Sequence, residues 1–290
     1  NVCPDNETLY ANLQQGDSYD VIIPSDYMIS RLIAEGMLTK LDFDNIPNAQ
    51  DVDPKFLNPA YDPDNAYSVP YMWGTVGIIY NTTLVDEAVT SWDSLFDTKY
   101  AGQVLMINNS RDAIGVALKD LGYSYNTTDQ AQISEAVDLL IQQKQDGIVQ
   151  AYVMDEIFDK LEGGEAAMGV YYAGDYLTMY ENNPDLAFVV PAEGSNIFTD
   201  AMCIPAGAAN QANAEKFINF MCSTEIGKAN CEAIGYSTPL MSVMDALDPD
   251  ITADPVAYPA DDVLENCEAF LNLPEETLKF YDSEWLRLKA

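Results

Sequence analysis

Short apolar segments alternate with helix-forming segments along most of the 290 residues, and this alternation constrains the fold more than any other feature. It is typical of α/β folds with mostly parallel sheets. The long apolar segment 67–81 predicts a strand that passes from one lobe to another, and the chain is expected to return near residue 195. These two crossings predict a body of two lobes with a ligand cleft between them.

The crossings also set the predicted domain boundaries. Residues 1–75 and 195–238 are assigned to lobe 1, and residues 76–194 and 239–270 to lobe 2. Residues 271–290 carry apolar side chains at helical spacing and are expected to form a C-terminal helix that packs on one lobe.

The stretch 169–205 contains several candidate binding residues. It is predicted to form three strands, of which the third carries Asp200 among apolar neighbours. An ionised carboxylate in such a strand is costly to bury unless a cation meets it. Phe198 lies two residues earlier, and Tyr172 and Asp175 belong to the first strand and its turn. Aromatic rings beside a carboxylate bind organic ammonium groups through cation–π contacts and charged hydrogen bonds, so the stretch predicts an amine site.

Two further loops follow predicted strands, where open α/β sheets place their ligands. Ser25 and Tyr27 come at the end of the predicted strand 19–25. Ser25 also fits the cap of the helix that follows. Asn109 and Asp112 come after the predicted strand QVLMIN, and Asp112 also fits a simple partner of the helix dipole. The residues alone leave the structural and the functional interpretation open in both loops.

Charge and composition exclude several classes of function. The formal net charge is −34, from 47 acidic and 13 basic residues, so nothing could neutralise the phosphates of a nucleic acid. The same charge attracts cations, although it is also the property of a solvated or salt-adapted surface. The chain has no histidine, and its five cysteines form no CxxC pair. We therefore expect no catalytic triad, no metal site and no cofactor; a carboxylate-pair hydrolase is the remaining enzymatic alternative.

Five segments occur in a characteristic order: SDYMISRLIAEGML, YSVPYMWGTVGIIYN, SWDSLF with KYAG, EGSNIFTDAMCIP and AIGYSTP. In this order they resemble the extracytoplasmic spermidine/putrescine-binding proteins of ABC importers, and the resemblance covers nearly the whole chain. It implies a type II periplasmic-binding-protein fold that closes on a polyamine and delivers it to a permease in the membrane. We expect a monomer outside the cytoplasm, as a periplasmic protein, a surface lipoprotein or a domain fused to its permease.

The resemblance implies roles for particular residues. Ser25 and Tyr27 occupy the family's first ligand loop, and Asp112 stands where the family has an acid that pairs with an amine. Tyr236 matches a ligand-contacting tyrosine. The family's opening strand and an aromatic-rich contact loop would precede Asn1, and any export signal is likewise expected upstream or removed.

The remaining correspondences concern aromatic residues and acids. Tyr172 and Phe198 stand where the family usually has tryptophans, and Asp200 matches the acid two residues after the second of them. Two positions depart from the family: Asn109 replaces an acid found in some members, and Phe270 replaces a glutamine found in spermidine binders. With one acid fewer, the comparison favours a diamine such as putrescine over spermidine.

Another ligand remains an alternative. Tyrosine pairs such as Tyr171 and Tyr172 bind ferric ion in relatives of this fold, together with other oxygen ligands. A binder of another small cation and a binding lobe that serves a sensor are the other possibilities.

Overall fold

The computed structural model describes residues 2, 3 and 5–290 and separates into two compact units. Unit 1 comprises Asn1–Trp73, Phe198–Ala253 and Ala269–Asn272. Unit 2 comprises Gly74–Ile197, Asp254–Glu268 and Leu273–Ala290.

These bounds correct part of the predicted division. The segment 239–253 lies in unit 1, whereas the sequence assigned it to lobe 2. It is attached there by backbone pairing, because the Asp53 N–H donates to the Pro239 carbonyl oxygen at 2.8 Å. Residues 269–272, which the sequence placed across the boundary of lobe 2 and the terminal helix, also lie in unit 1.

Helices account for much of both units. The helices are α1 (Asn6–Gln14), α2 (Asp26–Ala34), α3 (Ser110–Asp120), α4 (Gln130–Gln145), α5 (Glu156–Glu162), α6 (Ala173–Asn182), α7 (Gln211–Met221), α8 (Thr224–Ile234), α9 (Met241–Ala246), α10 (Pro249–Thr252), α11 (Asp261–Leu264) and α12 (Glu275–Lys289). Short 3-10 helices cover Phe43–Asn45, Pro47–Asp51, Pro54–Phe56, Trp92–Phe96 and Thr98–Tyr100. Within residues 2–3 and 5–290, no helix has both the length and the apolar character needed to cross a bilayer.

The strands form one open sheet. They are β1 (Ser68–Asn81), β2 (Val104–Ile107), β3 (Val149–Val153), β4 (Met168–Tyr172), β5 (Leu186–Val189) and β6 (Ile197–Cys203). Their order is β3-β2-β4-β1-β5, and β6 pairs with β1. Strand β2 runs parallel to β3 and β4, while β1 runs antiparallel to β4 and β5. Four strands of this path therefore share one direction, and β1 opposes them.

The parallel strands of unit 2 are joined by helical crossovers. Such connections are what parallel neighbours require, and here α3 with α4, then α5, then α6 provide them. The register pairs Val104 with Met168, so β2 and β4 end at the same edge of the sheet. Loops that follow these two strands consequently begin side by side, which places the start of α3 near the start of α6.

The core of unit 2 lies between this sheet and its helices. Its fully buried members include Ile78, Trp92, Leu105, Ile114 and Leu140. Helix α12 contacts α3 and α4, and its side chains Tyr281 and Leu288 join the same core. The predicted C-terminal helix is therefore part of unit 2.

Unit 1 contains a second core. This core includes Ile46, Val69, Met202, Ile204 and Ile218.

The predicted first strand of unit 1 is not a regular strand. The segment 19–25 makes only isolated antiparallel bridges to β6, through Ile22 with Cys203 and Ser25 with Asp200. Pro24 lies between these bridges and has no N–H to donate, which explains why the ladder does not continue.

Helix α6 lies between the first two strands predicted in the stretch 169–205, where the sequence predicted a turn and no helix. Its sequence, AGDYLTMYEN, contains glycine, aspartate and asparagine, which have low helix propensity. The buried side chains Tyr176 and Met179 hold one face of α6 against the core of unit 2. Tertiary packing therefore determines this helix.

Candidate functional site

A chain of hydrogen bonds in unit 1 ends at the carboxylate of Asp200. The Ser25 hydroxyl donates to Asp200 Oδ1 at 2.7 Å. Asn6 holds that serine twice, because its Nδ2 donates to Ser25 Oγ and its Oδ1 accepts from the Ser25 N–H, each at 3.1 Å. Ser25 precedes α2 in extended conformation, but its side chain makes no capping bond to the helix. The hydroxyl is committed to Asp200 instead.

The surroundings of Asp200 disfavour its charge. Burial raises the pKa of Asp200 to about 6, and the hydrogen bond from Ser25 opposes this shift. Among the described residues, no lysine or arginine forms an ion pair with Asp200. A partly buried carboxylate that meets no cation within the protein is stabilised when a cation binds from outside.

A pocket of about 400 Å³ lies beside Asp200 within unit 1. Polar and apolar side chains line it, among them Asn6, Ser25, Leu9, Ile22 and Phe217. The pKa of the Tyr61 phenol is raised, mainly because the phenol is buried. The nearby charges of Asp26 and Asp200 raise this pKa further. Sequence inspection gave no signal for Tyr61, since it lies in a loop rich in proline and aspartate.

Two aromatic pairs complete the candidate residues of unit 1. The ring centroids of Phe198 and Tyr236 are 5.8 Å apart. Those of Tyr27 and Phe270 are 6.0 Å apart in an edge-to-face arrangement. The Tyr27 hydroxyl donates to a carboxylate oxygen of Glu7 at 2.9 Å. Six of the predicted residues belong to unit 1 and contact each other in pairs: Ser25 with Asp200, Phe198 with Tyr236, and Tyr27 with Phe270.

The second group of candidates lies in unit 2, at the start of α3. Asn109 is the residue before the helix, and its Oδ1 accepts from the N–H groups of Arg111 and Asp112 at 2.9 and 3.4 Å. The Asn109 oxygen is therefore used as a helix cap. Asp112 is buried in the first turn, where the positive end of the helix dipole favours a carboxylate. Its Oδ1 accepts a hydrogen bond from Asn196 Nδ2 at 3.1 Å.

Tyr172 and Asp175 stand at the start of α6, at the same edge of the sheet as the start of α3. Tyr172 lies against Tyr171 with a centroid distance of 4.9 Å. The Tyr171 hydroxyl donates to Asp155 at 3.0 Å, and burial followed by the charge of Asp175 raises the pKa of this phenol. Because ferric ion is bound by the deprotonated form, this environment does not favour Tyr171 as an iron ligand.

The stretch 169–205 is divided between the two units. Tyr172 and Asp175 belong to unit 2, whereas Phe198 and Asp200 belong to unit 1. The reason is that β4 pairs with the part of β1 that lies in unit 2, from Val76 to Tyr80. Asn6 and Asn196 were not predicted as site residues, since each is recognised only through its hydrogen-bond partner.

A partly buried carboxylate in unit 1, a buried carboxylate in unit 2 and aromatic candidates in both units are features of a solute-binding protein. The family profile described as bacterial extracellular solute-binding protein matches residues 5–259. The chain belongs to this family, and the expected fold class is confirmed.

Named relatives and solved structures agree with this assignment. The spermidine/putrescine-binding periplasmic protein of Escherichia coli strain K12 is 34% identical over 288 residues, which cover 98% of this chain and 82% of the relative. A protein from Listeria monocytogenes assigned to a spermidine/putrescine ABC transporter has a TM-score of 0.95 and 38% identity, covering 100% of this chain and 90% of that chain. The substrate-binding protein PotD of a spermidine/putrescine ABC transporter from Streptococcus pneumoniae has a TM-score of 0.86 and 36% identity. This match covers 98% of this chain and 88% of that chain.

Proposed function

We propose that this chain binds a polyamine outside the cytoplasm and delivers it to the permease of an ABC importer. The observation that carries the proposal is the environment of Asp200, a partly buried carboxylate with a raised pKa that no described lysine or arginine neutralises. The names of the relatives, which bind spermidine and putrescine, support the same class of ligand.

In unit 1, the carboxylate of Asp200 accepts a hydrogen bond from one ammonium group. A hydrogen bond to a charged group contributes about 1.5–3 kcal/mol. The Ser25 hydroxyl fixes the carboxylate, since it already donates to Oδ1. Phe198 and Tyr236 offer ring faces to the methylene chain and to the charge, and each cation–π contact adds about 0.5–2 kcal/mol. Tyr27 and Phe270 supply further aromatic surface in the same unit.

In unit 2, Asp112 accepts from an ammonium group and Tyr172 covers the adjoining methylene groups. Asp175 lies in the first turn of α6 and contributes negative charge at the same sheet edge. Asn109 is neutral, and its oxygen is occupied by the start of α3. Asp112 is then the principal carboxylate of unit 2, and with this one acid fewer we propose putrescine as the preferred polyamine.

The partners follow from this role. The permease is the macromolecular partner, and the protein acts as a monomer that requires neither cofactor nor metal. Its location is extracytoplasmic, in agreement with the periplasmic relatives.

Isothermal titration calorimetry with putrescine, spermidine and spermine tests the proposal. We expect saturable one-to-one binding of at least one amine at micromolar or tighter affinity, and little change between low and moderate salt. The surface charge of −34 would by itself give weak heats that grow with amine charge and vanish in salt.

The variant Asp200→Asn tests the central residue, because it keeps the shape and removes the charge. We expect it to fold normally, as judged by circular dichroism, and to lose most of its amine affinity. Wild-type affinity in this variant would contradict the assignment of Asp200, and binding that is only salt-sensitive and unsaturable in the wild type would contradict the function.

A further inference from the structure

We propose that Asn196 is an additional ligand-binding residue, whose amide oxygen accepts a hydrogen bond from the same ammonium group that pairs with Asp112. This inference rests on the proposed function and adds a second acceptor to the subsite in unit 2.

The orientation of the Asn196 amide is set by its neighbour. Its Nδ2 donates to Asp112 Oδ1 at 3.1 Å, so the nitrogen faces the carboxylate and Oδ1 is the other atom of the same planar group. Asn196 is 3% exposed, and within the described part of the chain no group donates to its Oδ1. The amide oxygen is therefore a buried acceptor next to a carboxylate.

The backbone around Asn196 is fixed on both sides. The Val76 N–H donates to the Asn196 carbonyl oxygen at 3.0 Å. The next N–H, from Ile197, donates to the Glu268 carbonyl oxygen at 3.1 Å, and Asn196 bridges Glu268 in parallel register. The hydroxyl of the preceding residue, Ser195, donates to the Val76 carbonyl oxygen. Among the described residues these bonds leave the Asn196 oxygen as an acceptor that a ligand can use.

An ammonium group has the chemistry that this position needs. It presents three N–H donors and no acceptor, whereas Asp112 and the Asn196 oxygen are both acceptors. One donor can meet the carboxylate while another meets the amide. Since Asp112 is also 3% exposed, these hydrogen bonds form away from bulk water, where each is stronger than at the surface.

Two substitutions at Asn196 separate contact with the ligand from support of Asp112. Asn196→Leu removes the acceptor and the donor at nearly constant volume. We expect it to weaken putrescine binding by about tenfold or more, the effect of losing a hydrogen bond to a charged group. Asn196→Asp keeps an oxygen acceptor and removes the donor to Asp112, and we expect it to bind putrescine at least as tightly as the wild type.

Gln143 provides a matched control in the core of unit 2. It is 2% exposed, its Nε2 donates to the Leu95 carbonyl oxygen at 2.7 Å, and within the described residues its Oε1 has no donor. Gln143→Leu therefore removes a buried amide of the same kind away from Asp112, and we expect wild-type affinity for putrescine.

The measurements are calorimetric titrations of the full chain with putrescine, with circular dichroism as a check of folding. Wild-type affinity in Asn196→Leu overturns the inference, while amine binding by the wild type leaves the proposed function intact. Loss of affinity in both Asn196 variants also overturns it, because Asn196 would then act only by donating to Asp112. If Asn196→Leu does not fold, Asn196→Asp decides between the two roles. Absence of saturable amine binding in the wild type would instead refute the proposed function itself.

Discussion

Amine binding should weaken as the pH is lowered through the pKa of Asp200. This carboxyl group lies in β6, and its pKa is raised to about 6 because burial disfavours the charged form. The hydrogen bond from Ser25 opposes the shift without cancelling it. A raised pKa means that the free protein holds a proton on Asp200 below about pH 6, whereas an ammonium group pairs with the ionised form. The proton must leave before the amine binds.

The size of the effect follows from the ionised fraction. With a pKa of about 6, Asp200 is about 90% ionised at pH 7 and about 10% ionised at pH 5, whereas alkylammonium groups stay protonated with pKa values of about 10. Affinity should therefore fall about tenfold between pH 7 and pH 5, which is about 1.4 kcal/mol. The stability of the ligand-free protein should depend on pH in the opposite direction to amine affinity. The folded state favours protonated Asp200, so its contribution to the free energy of unfolding falls as the pH rises through about 6.

Calorimetric titration with putrescine at several pH values measures this dependence. Repeating the titration near pH 6 in two buffers of different ionisation enthalpy should also detect the released proton. Asp200→Asn has no titrating carboxyl group at this position, so the residual amine affinity of this variant should not depend on pH over this range. Asp120→Asn is the matched control, because burial, then Asp93 and Glu193, raise the pKa of Asp120 to about 6 as well, outside the candidate site. An affinity that stays constant over this pH range in a folded protein would refute the reasoning, as would a changed pH profile in Asp120→Asn.

Three further substitutions test other features. Asn6→Ala removes both hydrogen bonds to Ser25 and should weaken putrescine binding about three- to tenfold in calorimetry, with an unchanged circular dichroism spectrum. Gly115→Ala places a Cβ about 2.0 Å from the ring of Tyr125 and should lower the free energy of unfolding in urea by about 1–3 kcal/mol. Lys119→Met breaks the 2.5 Å ion pair between Lys119 and Glu268 in unit 2. Since Glu268 is partly exposed, this change should lower the free energy of unfolding in urea by about 1–3 kcal/mol.

Each of these has a clear contrary result. Wild-type affinity in Asn6→Ala would mean that Ser25 keeps its orientation without this support. A Gly115→Ala protein as stable as the wild type would mean that Tyr125 can move aside, and an unchanged stability in Lys119→Met would show that the ion pair contributes no net energy.

Elements with a strong local pattern were predictable from the sequence. The apolar segment 67–81 contains β1, and Ile133, Val137 and Leu140 recur at helical spacing along α4. Asp129 caps α4 through its side chain, which accepts from the Ala131 N–H at 2.8 Å. In these cases hydrophobic periodicity and capping chemistry agree with tertiary packing.

Elements that depend on distant partners were not predictable in the same way. The segment 19–25 has the composition of a strand, but Pro24 interrupts its pairing with β6. Helix α6 has a weak helical pattern and is held by its buried side chains. Among site residues, the sequence could not tell that Asn109 would cap α3 or that Asn196 would face Asp112, because the second contact joins positions 84 residues apart.

Neither unit corresponds to one continuous stretch of the gene. The chain passes between the units after Trp73, Ile197, Ala253, Glu268 and Asn272. A recombination event with a single crossover would divide at least one unit between two parents, and exchange of a whole unit would require every one of these junctions. Changes in ligand preference should therefore arise by point substitution more readily than by exchange of units.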